Sequence, residues 1–282
     1  MNFFEGLEKF GIKPKTDIGL YEEEKKQEQQ RQQEEAAKLE EPKEEDFLLQ
    51  RNIKCPVCDK TFKDIAMKSG KAKRLEPDED LRPRQMYIDS LKYGATVCPH
   101  CGYAALNRYF THIASVQMKM IREEVTPNFK PLEPETELRA YTYDEAIERH
   151  KLSLFNAMAK KARTSEKAYN CLIISWLLRG KAEEIGEEQV DEYSQCKEEE
   201  EAFYWEAYEG LLKAVSSENF PICGMDANTM DYLLAAMASH YKQYDVASKC
   251  LSRVLSSSTA GRKVKDMALD MKEQIIGEIK KM

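Results

Sequence analysis

From Tyr141 onward, apolar residues recur at helical spacing almost without interruption. Ile147, Leu154 and Met158 mark one stripe. Ala146, His150, Ser153 and Ala157 mark a small-residue stripe beside it, of the kind that lets helices approach closely. Ser165 suits an N-cap for a helix carrying Tyr169, Leu172, Ile173, Trp176 and Leu177; Arg179-Gly180 reads as its end, although Ala182–Ile185 could extend it. Tyr193, Cys196, Phe203, Ala207, Leu211 and Val215 keep register along a longer helix. Pro221 and Gly224 place a loop over 216–226, and an alanine-rich helix follows over Tyr232–His240. A turn at 242–244 leads into a helix through Leu251, Val254 and Leu255. A last helix runs through Val264, Met267, Met271, Ile275 and Ile279. Tyr143-Asp144-Glu145-Ala146 and Tyr244-Asp245-Val246-Ala247 share an aromatic-x-x-Ala signature. Their alanines lie 101 residues apart, close to three periods of about 34 residues, which points to a degenerate tetratricopeptide-like array.

The first half is patterned differently. Tyr93, Thr96 and Val97 read as a short strand, and 103–122 as a helix with Leu106, Phe110 and Ile113 on one face. At the N-terminus Phe3, Phe4, Leu7 and Phe10 share a helical face, either as a docking motif or as a terminal helix folded back on its own domain. Between Glu22 and Asp46, 21 of 25 residues are Glu, Asp, Lys, Arg or Gln, leaving almost nothing to bury. That run predicts a solvated helix or a tether.

Charge divides the chain along the same lines. Residues 1–46 hold 8 basic and 14 acidic residues, net -6; residues 47–130 hold 15 and 9, net +6; residues 131–282 hold 20 and 27, net -7. Three parts are expected: an apolar motif with acidic tether (1–46), a small module with a basic loop (47–130) and an α-helical domain (131–282). With 12 Gly and 10 Pro in 282 residues, the chain favours helix over turn-dense all-β structure. The start is not basic, and the longest apolar stretches, Cys171–Leu178 and Tyr232–Ala238, are too short for a bilayer. No membrane partner and a cytoplasmic location are expected. In a reducing compartment the 8 cysteines read as metal ligands and free thiols.

Four of those cysteines carry the strongest chemical signal. Cys55-Pro56-Val57-Cys58 is echoed by Cys98-Pro99-His100-Cys101-Gly102. C-x-x-C lets two thiolates reach one ion from a tight turn; proline presets the turn, and glycine permits a left-handed residue after it. Two such turns supply the four sulfurs of a closed structural zinc site, one Zn(II) per chain on Cys55, Cys58, Cys98 and Cys101. Zinc is favoured over iron, although the second turn also looks like a rubredoxin knuckle. The His100 ring is expected to point outward between two ligands; His112 could replace a cysteine ligand, but four thiolates suffice, and it reads as a residue on a helix surface or packed against the turn. Cys171, Cys196, Cys223 and Cys250 lack ligand spacing and read as buried small hydrophobes. Trp176 and Trp205 read as core.

The 39 residues between Cys58 and Cys98 hold Lys68, Lys71, Lys73 and Arg74, then Glu76, Asp78, Glu79 and Asp80, then Arg82 and Arg84. The default for such a run is a solvated loop. A nucleic-acid surface is the alternative, weakened because four thiolates on Zn(II) lower the segment from +6 to about +4. No phosphate-binding, dinucleotide, metalloprotease or serine-hydrolase motif occurs. The reading is therefore a non-enzymatic adaptor that binds a protein or peptide through its helices, with an iron electron carrier and a nucleic-acid binder as alternatives.

Ile53–Cys58, Asp80-Leu81-Arg82-Pro83-Arg84 and Val97–Ala105 together resemble the bacterial domain of unknown function 2225 family, as do Ser165–Tyr169 and Trp176–Arg179. The resemblance covers roughly residues 47–260. It implies a bacterial cytosolic protein with a zinc-ribbon-like four-cysteine head and tetratricopeptide-like helices, and it carries no activity. The Phe-rich start and acidic run lie outside it.

Overall fold

Two short antiparallel hairpins precede a stack of helices. The computed structural model describes residues 7–11, 42–133 and 135–281. Contacts divide the chain into two units, Met1–Lys43 and Glu44–Met282. In the first, Leu7–Phe10 form a 3-10 turn with Phe10 exposed. Phe3 and Phe4 of the Phe motif, and residues 12–41 with most of the acidic run, lie outside the described residues. The end of that run, Glu44–Phe47, is a 3-10 turn of the second unit, where Glu44 takes Lys92 and the Tyr93 hydroxyl.

Strand β1 (Leu48–Lys54) pairs with β2 (Thr61–Met67), from Leu48 opposite Met67 to Lys54 opposite Thr61. Strand β3 (Ala95–Val97) pairs with β4 (Ala104–Leu106). Each C-x-x-C falls in the turn of one hairpin. The helices are α1 (Asn107–Phe110), α2 (Ser115–Glu124), α3 (Tyr143–Ala159), α4 (Thr164–Ile185), α5 (Val190–Ser217), α6 (Ala227–His240), α7 (Tyr244–Ser256) and α8 (Arg262–Lys281). The fold is mainly α, as its periodicity predicts. Thr142 caps α3 in a reciprocal box with Glu145, and Asp226 caps α6. Tyr143 and Tyr244 both open helices, and Ala146 and Ala247 are completely buried.

Helix α3 packs on α4, α4 on α5, α6 on α7, and α7 on α8. Residues 171–178 of α4 and 232–238 of α6 are buried all round, so these two helices form the centre of the main core. No helix among the described residues is long and apolar enough to cross a membrane.

Three local expectations are corrected. The stretch 103–122 is not one helix: 104–106 are drawn into β4, and 111–114 separate α1 from α2. Pairing with β3 closes the second cysteine turn and overrides local helix propensity. Helix α4 does not stop at Gly180: it takes the extension through Ala182–Ile185 and ends at Gly186, φ 75°. Gly180 serves packing instead, since a Cβ there would lie 2.6 Å from Arg82 Nη2 and Tyr143 Cε1. On α3 the small-residue stripe faces inward while Met158 is exposed.

His150 on that stripe is fully buried, with Nε2 3.1 Å from the Leu91 carbonyl oxygen. Burial pulls its pKa down to about 4. An unfolded histidine titrates near 6.5, so the folded state resists the proton. This contribution to stability is complete above about pH 6.5 and is lost as pH falls through that value towards 4. Between pH 7.5 and 5 the wild-type chain should lose about 2 kcal/mol more than His150→Asn, measured by denaturant midpoints. Parallel curves would refute this assignment. Comparison with the variant separates His150 from acid protonation of the thiols, which both chains share.

Candidate metal centre

The two cysteine turns are copies of one backbone design. In the first, Cys55 N–H donates to Lys60 O at 2.9 Å and Asp59 N–H to Cys55 O at 2.9 Å. In the second, Cys98 N–H donates to Tyr103 O at 2.8 Å and Gly102 N–H to Cys98 O at 3.1 Å. The residue after each second cysteine is left-handed: Asp59 at φ 62° and Gly102 at φ 76°. Aspartate and glycine are among the residues that tolerate that region. A cysteine is thus presented at either side of each turn, as the spacing predicts.

The turns face each other. Cys55 Sγ lies 3.7 Å from Cys101 Sγ, and Cys58 Sγ 3.6 Å from Cys98 Sγ. All four sulfurs lie within 4.8 Å of one another. A tetrahedral ion with Zn–S bonds of about 2.3 Å needs sulfur–sulfur edges of about 3.8 Å. The donor set therefore fits such an ion in both chemistry and spacing. Among the described residues no other group of His, Cys, Asp and Glu has this compactness. His100 and His112 are not members of it. Cys55, Cys98 and Cys101 are buried and Cys58 is half-buried.

Thiols packed this closely cannot all ionise unaided. Contacts with Cys101 and Cys55 pull Cys98 down to about 2. Cys101 is pushed up by Cys55, Cys98 and burial. For Cys55 the Cys101 contact lowers the pKa, but the Cys98 contact and burial outweigh it and leave it at about 12. A divalent cation at the centre would let all four carry charge together.

Helices hold the turns from behind. Arg122 of α2 donates from Nε and Nη2 to Val57 O, at 2.8 and 2.6 Å. Asn156 of α3 donates to Gly102 O at 3.0 Å, and Thr126 to Cys101 O at 3.1 Å. Phe62, Tyr103, Phe110, Ile121 and Val125 pack round the cysteines in a small core of their own. Phe129 closes over Gly102: a Cβ there would lie 2.5 Å from its ring. Gly102→Ala should therefore cost about 1–2 kcal/mol for the backbone and about 1–3 kcal/mol for the clash. Adding Phe129→Ala should return only the second part. Thermal melts of the single and double variants decide this; an unchanged melting point for Gly102→Ala would contradict the geometry.

The charged loop does not behave as the solvated run expected from sequence. Arg82 is 1% exposed and reaches Glu183 at 3.1 Å and Asp89 at 3.2 Å. Asp80, also buried, accepts the Trp176 indole N–H at 2.8 Å and Arg179 Nη2 at 2.9 Å. Arg84 bridges Asp78 and Glu183, and Arg179 continues to Glu200 at 2.7 Å. Burial alone would raise the Asp78 and Glu183 carboxyls, but Arg84, Arg82 and, for Asp78, Arg179 hold both below their ordinary range. Lys68 and Lys71 donate to the Asp46 carbonyl. The network pins the loop that links the two hairpins to α4 and α5. Its sequence signal was the alternation of Asp80, Arg82 and Arg84, with partners about a hundred positions away.

Residues 48–275 match a family model described as an uncharacterized protein conserved in bacteria, DUF2225. The chain belongs to this family. The match opens with β1 and reaches into α8, so it takes in both hairpins, the four cysteines and the ion network. No curated protein and no solved structure matches the chain. The remaining cysteines, Cys171, Cys196, Cys223 and Cys250, are all buried, as expected. Trp176 is core as well. Trp205 is not: it is 38% exposed, because the buried face of α5 follows Cys196, Glu200, Tyr204, Tyr208 and Leu211.

Proposed function

We propose that the chain is a zinc-stabilised, non-enzymatic adaptor. One Zn(II) is held by Cys55, Cys58, Cys98 and Cys101, and the helices bind a protein or peptide. The observation that supports this most is the closed all-sulfur set at tetrahedral spacing. Four thiolates leave no open position for water or substrate, so the metal would brace structure rather than activate a reactant. The chain's own residues do the bracing: Arg122 and Asn156 fasten the two turns to α2 and α3. In this reading the metal-bearing part, 47–130, fixes the hairpins against a tetratricopeptide-like helical part, 131–282. A reducing cytoplasm, which keeps the thiols available, belongs to the same reading. The inward turn of Arg82 and Arg84 favours a protein partner over nucleic acid. Untagged protein expressed with both zinc and iron available should carry one zinc per chain and no visible absorbance. One iron with a red, reducible spectrum would assign electron transfer instead.

A further inference from the structure

The main core leaves one aromatic face open. On α5, Glu198, Glu201, Ala202 and Trp205 fall three, four and seven residues along from the first and so share one side of the helix. With Lys197 and Tyr241 they line a shallow depression of about 750 Å³. Its floor is held firmly. The Tyr241 ring meets Trp205 edge-on at 4.7 Å, stacks on Tyr208 at 5.5 Å and meets His240 at 4.9 Å. Tyr208 is anchored in turn by a 2.8 Å hydrogen bond to Gln243. The indole N–H of Trp205 donates to no acceptor among the described residues, whereas that of Trp176 is taken by Asp80.

The rim is acidic. Glu198 makes no ion pair or hydrogen bond among the described residues. Glu201 lies 2.9 Å from His240 Nε2. Lys197, the one basic residue lining the depression, is already paired with Glu200. An exposed indole on a rigid aromatic floor, flanked by carboxylates, suits a cation above the ring and a carbonyl at its N–H. Aromatic anchors of low mobility are also the side chains that dominate binding energy at interfaces.

From this charge complementarity we infer that the Trp205 face is the docking site for a basic peptide segment, an arginine or lysine seated over Trp205 between Glu198 and Glu201. The inference rests on the adaptor reading and supplies its partner class.

The test uses the full chain with nitrogen-15-labelled tryptophan. The sequence holds 2 Trp, so the two indole signals report the surface and the core separately. A capped peptide of arginines and leucines should shift the Trp205 signal saturably and leave Trp176 in place. Trp205→Ala should weaken binding about tenfold. Glu198→Gln with Glu201→Gln should weaken it about fivefold, and salt should weaken it further. Equal shifts from a serine-for-arginine peptide would overturn the cationic class. Undiminished binding to the folded Trp205→Ala chain, its Trp176 signal unmoved, would reduce the effect to general attraction by an acidic protein. No shift of Trp205 by any peptide, with a partner cross-linking elsewhere on the helices, would sink this surface but leave the adaptor reading standing. A chain that cross-links to no partner would remove that reading too.

Discussion

A Cys98→Ser chain is expected to purify without its metal and to lose order in both hairpins, while helices α4–α8 stay folded. Cys98 is completely buried, and its sulfur lies 3.6 Å from Cys58 in the other turn. Serine removes one of the sulfurs that join the two hairpins and leaves a hydroxyl where a thiolate is needed. Structural zinc is worth about 10–16 kcal/mol in small zinc-binding peptides at neutral pH, as much as the whole stability of an ordinary domain. The core round the cysteines is small and cannot absorb that loss. The main core gathers on α4–α8 and contains none of the four ligands. Hydrogen exchange should therefore show fast exchange over β1–β4 and α1–α2 with protection retained in α4 and α6. Cys171→Ser, at a buried thiol outside the cluster, should keep the metal and this protection. A Cys98→Ser chain with a full complement of metal would contradict the four-sulfur assignment.

The second large effect is expected at Arg82. Its guanidinium is buried against Asp89 and Glu183, with Asp78 at 3.9 Å. Arg82→Ala would strand Asp89, which also receives the Tyr143 hydroxyl, beside a newly empty space. Removing one partner of a buried ion pair costs about 3–5 kcal/mol. In a domain of this size that lowers the melting point by about 10 °C. Arg84 is 31% exposed on its side chain, and Arg84→Ala should cost about 1 kcal/mol. Metal content should be unchanged in both variants. Asp89→Asn in the Arg82→Ala background should recover part of the loss, because it removes the unpaired charge. Equal melting points for the Arg82 and Arg84 variants would mean that burial does not set the energetics here.

How far the sequence reached depended on how local each cause was. The cysteine turns were legible because ligand spacing, proline and the left-handed residue all act within a few positions. The cap of α6 and the buried alanines of α3 and α7 were not all named in advance, but their elements followed from periodicity. What escaped had distant causes. The strand at 104–106 exists because β3 and the second turn need a partner. Gly180 resembled a helix stop, yet it is small because Arg82 and Tyr143 press on it from elsewhere in the chain. Arg82 itself looked solvated because Glu183 lies 101 positions away. Trp205 was assigned to the core by residue type alone; two positions from both Phe203 and Ala207, it falls on the far side of the register those residues set, and there it is exposed.

X-ray absorption at the metal edge of the untagged chain reads the centre itself. One zinc surrounded by four sulfur atoms at about 2.3 Å, with no nitrogen or oxygen neighbour, is expected. A first shell containing a light atom, or fewer than four sulfurs, would contradict the closed centre and with it the purely structural role given to the metal.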